Sequence, residues 1–284
     1  MEWEKAKNYI LLFFILLNLA LGGLLFMESR RYSITPEREQ AIVTILNQNN
    51  ISMDVRLIRR FAPMRAMSVS GFYYNTDELV RIFFGNATVH RTTNFRGYEI
   101  TRRPAELVIS NGFIAYNNPM GRGEISTLSA VEAQRLTDDF VRTNWPDFRL
   151  DIIYSGEDWI LLSYRQVYRG HKIHSNFIEF FVTEAGIIRV EMQFGRALGW
   201  ESADRQPIVS PDEALLTFVQ RIRPIAIAQA SPMVITHMDL VYFVDGSGSD
   251  PDVEHRAEPF YRVFVAGDGS NPFLINAFTN EMIL

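Results

Sequence analysis

An uncharged apolar run near the start of the chain constrains its fold more than any other feature. Residues 9–27 read YILLFFILLNLALGGLLFM. As a helix, this run would be about 28 Å long, close to the thickness of the hydrocarbon core of a bilayer. The run therefore predicts a single transmembrane helix at 9–27, after a short tail at 1–8 and before a large polar body.

The run is typical of a retained anchor rather than of a cleaved signal peptide. A signal peptide has a short apolar core followed by a small-x-small cleavage site. Ala20-Leu21-Gly22 imitates such a site, but the apolar run continues through Leu24, Leu25 and Phe26. This length is more than a signal core needs, so we expect the helix to stay attached to the body.

The charges that flank the run do not set its orientation. Lys5 and Lys7 precede the run, and Arg30 and Arg31 follow it, so the positive-inside comparison is a tie. The tail is short and the body is large and polar. We therefore predict a cytoplasmic N-terminus and an extracytoplasmic C-terminal body on a single-pass protein of the cell membrane.

Small and polar residues interrupt the apolar run in its second half. Asn18 lies in mid-span, Gly22 follows one helical turn later, and Ala20 and Gly23 add further small side chains. A polar amide with small neighbours allows another helix to approach closely and to form a hydrogen bond. We predict a partner-binding face at Asn18, Ala20, Gly22 and Gly23; the alternative is a tolerated amide with incidental glycines.

Three helix starts divide the body. Thr35-Pro36-Glu37 combines an N-cap hydroxyl, a proline at the first helical position and an acid, and Ser129-x-x-Glu132 and Ser210-x-x-Glu213 are capping boxes. Pro224 is predicted to end the third helix. A Gly- and Asn-rich loop at 117–123 is the best candidate boundary. These signals predict a first α+β subdomain at 28–123 and two later units at 124–200 and 201–284.

The two later units look like a diverged repeat of a helix followed by strands. Strand-like runs follow the second helix at 148–154, 159–168, 176–183 and 187–194, and the third at 234–244, 260–266 and 273–278. Each unit would be a helix covering one face of an antiparallel meander. The predicted fold class is therefore α+β, with one N-terminal transmembrane helix and an extracytoplasmic body.

The sequence carries no recognisable catalytic, cofactor or metal motif. It has no nucleophile elbow, Walker loop or zinc-binding His-Glu-x-x-His, and it has no cysteine. His171 and His174 would point to opposite faces of a strand, and the loop at 245–252 lacks the alternating acids of a calcium site. The net charge of −5 opposes nucleic-acid binding. We expect no enzyme activity, cofactor or metal.

Two stretches carry a resemblance to a known family. The start Met1-Glu2-Trp3-x-Lys5-Ala6-Lys7 leads directly into the apolar run, with Asn18-Leu19 in its middle. The later stretch Gln166-x-Tyr168-x-Gly170-x-x-Ile173 is followed by a strand and the Gly186-Ile187-Ile188 turn. Together with the layout of tail, span and body, these residues resemble the YycI (WalI) family of membrane-anchored regulators and, in the body, its relative YycH.

The resemblance implies a function that does not involve catalysis. Members of the family act on the sensor histidine kinase WalK (YycG), which controls cell-wall metabolism in Gram-positive bacteria, and they work with YycH through contacts among transmembrane helices. The implied partners are therefore this kinase, a YycH-type protein and the lipid bilayer. The implied body is YycH-like and distantly PepSY-like.

Two other functions remain open from the residues alone. A PepSY-like inhibitor or chaperone of an exported peptidase would act through its body and tolerate an unrelated span. A membrane-anchored cell-wall enzyme would need a cleft with paired carboxylates or a histidine-bound metal, which the sequence does not predict.

Overall fold

The computed structural model of the chain describes residues 2–72, 74–94, 97–110, 112–244, 253–267 and 271–283. The helices are α1 (Glu2–Arg31), α2 (Pro36–Gln48), α3 (Thr76–Phe84), α4 (Ala130–Asn144) and α5 (Pro211–Ala228). The strands are β1 (Ile51–Met53), β2 (Met67–Phe72), β3 (His90–Asn94), β4 (Gly97–Arg102), β5 (Ala105–Ser110), β6 (Phe113–Asn117), β7 (Phe148–Ser155), β8 (Ile160–Tyr168), β9 (His171–Thr183), β10 (Gly186–Gln193), β11 (Gly195–Trp200), β12 (Met233–Val244), β13 (Glu254–Val265), β14 (Phe273–Asn276) and β15 (Met282–Ile283). The predicted α+β class is confirmed.

The predicted helix starts are confirmed by their caps. Thr35 Oγ1 accepts a hydrogen bond from the Arg38 amide, and Ser129 Oγ accepts one from the Glu132 amide. At the start of α5, the Glu213 carboxylate accepts from the Ser210 amide at 3.1 Å. Each of these bonds satisfies a backbone N–H at the start of a helix, where the N–H groups have no intrahelical acceptor.

The prediction that Pro224 ends the third helix is wrong, because α5 continues through it to Ala228. Proline removes one backbone donor and costs stability inside a helix. Here Ile222 and Ala226, on either side of Pro224, are buried. The Asn50 side chain donates hydrogen bonds to the carbonyls of Ala226 at 2.8 Å and Gln229 at 3.1 Å. Burial and capping thus hold the last turn in helical form.

The chain forms two compact units. The first consists of Met1–Met64, Gln206–Asp239 and Tyr261–Leu284, and the second of Arg65–Arg205 and Leu240–Phe260. These units cut across the predicted segments 28–123 and 201–284, whereas 124–200 lies wholly in the second unit. The reason is that β12 and β13 each contribute residues to both units, which a division into consecutive segments cannot represent.

The loop at 117–123, the predicted boundary, lies inside the second unit and is held there by hydrogen bonds. The Asn118 amide donates to the Ile188 carbonyl at 2.7 Å, and the Ile187 amide donates to the Arg122 carbonyl at 3.0 Å. The Asn118 side chain closes the loop by donating to the Gly121 carbonyl at 2.8 Å. Glycine and asparagine here serve a packed turn rather than a linker.

In the first unit, α2 and α5 pack together beside short strands. Strand β1 pairs in parallel with the start of β12, with Ile51 opposite Met233. This parallel pair differs from the predicted antiparallel meander for 201–284. Arg38 on α2 donates two hydrogen bonds of 2.8 Å to the Asp212 carboxylate on α5. The apolar core includes Ile42, Leu46, Leu215, Phe218 and Ile222.

The second unit contains an eight-stranded antiparallel arrangement in the order β3-β4-β5-β6-β10-β9-β8-β7. Helix α4 followed by β7 to β10 agrees with the helix-then-meander order predicted for 124–200. Helices α3 and α4 pack aromatic side chains on the sheet: Phe83 stacks on Tyr116 at 4.5 Å between ring centroids, and Phe140 meets Phe180 edge-on at 5.7 Å.

Candidate functional site

Helix α1 is the first candidate site. It is continuous from Glu2 to Arg31, and its window Ala6–Gly23 is long and apolar enough to cross a membrane. None of that window is buried against the rest of the chain. An apolar helix without a protein partner is stable when lipid or another helix covers it.

The four predicted site residues lie on two faces of α1. At about 100° per residue, Gly22 lies about 40° around the axis from Asn18, whereas Ala20 and Gly23 lie about 140–200° away. Asn18 and Gly22 therefore share one face, and Ala20 and Gly23 share the other. All four are exposed, and a Cβ added at Gly22 or Gly23 would meet no atom within 4 Å.

The Asn18 amide is partly satisfied within the helix. Its Nδ2 donates to the Phe14 carbonyl at 2.8 Å. An asparagine side chain has a second N–H and a carbonyl oxygen, and the exposed side chain presents these at the helix surface. Because Gly22 is one turn away with no side chain, a second helix can approach closely on this face.

The end of α1 is joined to the rest of the first unit by hydrogen bonds rather than by a flexible linker. Immediately after the helix, Tyr32–Ile34 runs antiparallel to Arg59–Phe61: the Phe61 amide donates to the Tyr32 carbonyl at 3.1 Å, and the Ile34 amide donates to the Arg59 carbonyl at 2.9 Å. The Tyr32 and Phe61 rings meet edge-on at 5.9 Å. A rotation of α1 would therefore act directly on this paired segment.

A pocket beside the end of α4 is the second candidate site, and sequence reasoning missed it. It has a volume of 260 Å³ and is lined by the aromatic rings of Trp145, Phe148 and Phe194 together with Gln166 and Arg196. Phe194 lies 5.5 Å from Phe148 and 6.3 Å from Trp145 between ring centroids. Such a pocket suits a small apolar or planar group with a polar end.

One buried amide fixes the polar side of this pocket. Asn176, which is 1% exposed, donates to Gln166 Oε1 at 2.6 Å and to the Gly195 carbonyl at 3.1 Å. Its own carbonyl oxygen accepts from the Gly195 amide at 3.1 Å. These contacts join β8, β9 and the start of β11, so the pocket is preformed. The lining residues come from three separate stretches of the chain, so no local pattern predicts the pocket.

Tyr164 on β8 has the environment of a structural group. Its hydroxyl donates to Asp138 Oδ1 at 2.7 Å and lies 2.7 Å from Thr137 Oγ1. Burial is the main reason that the pKa of Tyr164 is raised, and Asp138 raises it further. The phenol therefore stays protonated at neutral pH and ties α4 to β8.

His171 and His174 do not share a site. His171 packs edge-on against Trp200 at 5.3 Å and Tyr242 at 5.6 Å, whereas His174 lies 5.9 Å from Phe243. No group of three or more histidine, cysteine, aspartate or glutamate side chains suited to a metal occurs in the described part of the chain. The weak calcium-loop pattern at 245–252 lies outside the described residues.

Burial of His171 predicts that acid destabilises the second unit. Burial lowers the pKa of His171 below its usual 6.5, so below that pH the unfolded chain binds a proton that the folded chain resists. Stability is therefore fully present above pH 6.5 and decreases as the pH falls toward the lowered pKa. We expect His171→Phe to lose less stability than the parent between pH 7.5 and 5.0, as measured by urea unfolding.

The matched control is His90→Phe, because His90 is exposed at the edge strand β3. It should keep the acid sensitivity of the parent chain. If acid destabilised the parent chain and the His171→Phe chain equally, the burial of His171 would not be the cause of the acid sensitivity.

Comparisons with known proteins give little support for any family. No protein-family model matches this chain, and no curated protein matches it. Among solved structures, the chain is similar to the Bacillus megaterium YpeB C-terminal domain, with 11% sequence identity and a TM-score of 0.39 over 75% of this chain and 98% of that chain. This likeness is too low to assign the chain to a family.

Proposed function

We propose that this chain is a non-enzymatic, membrane-anchored regulator of a sensor histidine kinase of the WalK (YycG) type, and that it acts together with a YycH-type partner. The observation that carries the proposal is the exposed helix α1, which presents Asn18 and Gly22 on one face. The YycI resemblance of the tail and span supports the same partner. In this proposal, the tail is cytoplasmic and the body is outside the cell.

The mechanism is a shift between two states of the kinase helices. A bound helix changes the ratio of two states only by its difference in affinity for them. The Asn18 amide can form a hydrogen bond that exists in one arrangement of the kinase helices and not in the other. Gly22 allows the close approach that this bond requires. If α1 rotates when this bond forms, the paired segment after α1 transmits the rotation to the rest of the first unit.

The test replaces residues 9–27 with an unrelated polyleucine span and assays kinase pull-down and expression of its target genes. Because contacts of α1 carry the proposed effect, we expect both to be lost while the body remains exported and folded. Returning only the asparagine at 18 and the glycine at 22 to the polyleucine span should restore most of the pull-down.

The matched control places the same asparagine and glycine at 16 and 20, which rotates the pair by about 200°. This span has the same composition but presents the pair on the other face, so it should not restore binding. Equal rescue by both spans would contradict the face assignment.

The pocket at Trp145 favours one alternative, in which the body itself binds the decisive partner or ligand. A PepSY-like inhibitor or chaperone would behave in this way. This alternative predicts that the chain with the polyleucine span retains full function, whereas Trp145→Ala abolishes function. A membrane-anchored cell-wall enzyme is the other alternative, and it predicts that the body cleaves wall material without a kinase.

A further inference from the structure

The outer end of α1 carries a cluster of arginines that the proposed kinase contact does not use. We define the arginine collar as Arg30, Arg31, Arg59 and Arg60. The first two end the helix, and the other two are brought beside it by the pairing of Arg59–Phe61 with Tyr32–Ile34. All four are exposed. From the arrangement of the collar, we infer that it binds the phosphate groups of anionic phospholipids in the bilayer that α1 spans. This inference rests on the membrane placement of α1 in the proposed function.

The distances place the collar in the headgroup layer. If the apolar run ends at Met27, Arg31 lies about 6 Å beyond the hydrocarbon core, at 1.5 Å per helical residue. The headgroup region is about 5–7 Å deep on each side of a bilayer. Arg60 pairs with Ser33, two residues beyond the helix and therefore at most about 7 Å farther along an extended chain. Flexible arginine side chains reach back across that distance.

The aromatic neighbours of the collar also suit an interface. The Tyr32 and Phe61 rings pack edge-on at 5.9 Å, and the Arg31 guanidinium lies 5.9 Å from the centre of the Tyr32 ring. Tyrosine is enriched where a transmembrane helix leaves the hydrocarbon, because its ring is apolar and its hydroxyl is polar. An arginine held against such a ring presents a fixed guanidinium to phosphate.

The charge of the collar also suits an anionic ligand. The two segments of the collar, 30–34 and 56–61, contain five arginines and no acid, although the whole chain has a net charge of −5. Arg59 is partly neutralised by Glu39, at 2.9 Å. Arg31 and Arg60 therefore give one test position on each of the two segments. At a membrane surface, each basic residue can raise the affinity for anionic lipid by up to roughly fivefold.

The experiment uses the full chain in phosphatidylcholine vesicles with a trace of spin-labelled phosphatidylglycerol or spin-labelled phosphatidylcholine. Electron paramagnetic resonance gives the fraction of each lipid that the protein immobilises. We expect a preference for phosphatidylglycerol of about threefold or more. The Arg31→Gln/Arg60→Gln chain should lose the preference, and Arg31→Lys/Arg60→Lys should keep most of it. Neither double substitution changes Arg59 or Glu39, so their ion pair stays intact.

The matched control is Arg102→Gln/Arg103→Gln, an adjacent exposed pair in the second unit. It removes the same charge and should keep the preference for phosphatidylglycerol. An unchanged preference in Arg31→Gln/Arg60→Gln, or an equal loss in the control, overturns the inference. No kinase is present, so this result is independent of the regulatory proposal; a chain that fails to enter the vesicles would instead contradict the membrane placement of α1.

Discussion

Asp239→Ala is expected to destabilise the first unit by about 3 kcal/mol. The Arg262 side chain is fully buried, and the Asp239 side chain is 20% exposed. Arg262 Nε donates to Asp239 Oδ1 at 2.8 Å, and its Nη2 donates to Oδ2 at 2.6 Å. Arginine cannot release its proton to avoid burial as a charge. Loss of the carboxylate therefore removes two charge-assisted hydrogen bonds from a buried cation, which urea unfolding of the detergent-solubilised chain should detect.

A double variant separates this explanation from simple loss of packing. Arg262→Met in the Asp239→Leu chain removes both charges and keeps apolar volume, so it should recover most of the lost stability. The control is Glu39→Ala in the same unit, where the cation of the pair, Arg59, is 64% exposed. That change should cost less than about 1 kcal/mol. If the double variant is no more stable than Asp239→Leu alone, the buried charge is not the cause.

Local features of the fold could be predicted from the sequence. The helix starts at Thr35, Ser129 and Ser210 depend on hydrogen bonds within one turn, so a few neighbouring residues are sufficient to identify them. The shared face of Asn18 and Gly22 likewise follows from the helical period alone. A prediction that depends on a fixed local spacing does not need the rest of the chain.

Features that join distant residues could not be predicted. The parallel pairing of Ile51 with Met233 connects two segments about 180 residues apart and leaves no local pattern. The pocket needs Trp145, Gln166 and Phe194 together, and the arginine collar needs Arg31 beside Arg60. Pro224 also shows the limit of a local rule, because the tertiary contacts of α5 outweigh the helix-breaking tendency of proline.

The loop at 117–123 packs closely against Gly186 in the second unit. Gly186 has φ +93°, and a Cβ at this position would lie 1.8 Å from the Gly123 carbonyl oxygen and 2.5 Å from that of Arg122. Both atoms belong to the backbone, so neither can rotate away. The loop therefore approaches the turn between β9 and β10 as closely as only a glycine permits.

Gly186→Ala should consequently cost at least about 3 kcal/mol. A left-handed backbone conformation costs an alanine about 1–2 kcal/mol, and the rest comes from separating the loop from the turn. Separation would break the 3.0 Å bond from the Ile187 amide to the Arg122 carbonyl. We expect lower stability in urea and faster cleavage by trypsin after Arg122.

Gly170→Ala provides the matched control, because Gly170 also lies in a turn of the second unit with φ +86°, but an added Cβ there meets no atom within 4 Å. It carries the conformational cost alone, about 1–2 kcal/mol, and should leave cleavage after Arg122 unchanged. The difference between the two variants measures the packing of the loop against the turn. Equal effects on stability and on cleavage would mean that the loop is not held by this contact and that the segment at 117–123 behaves as the linker its composition suggests.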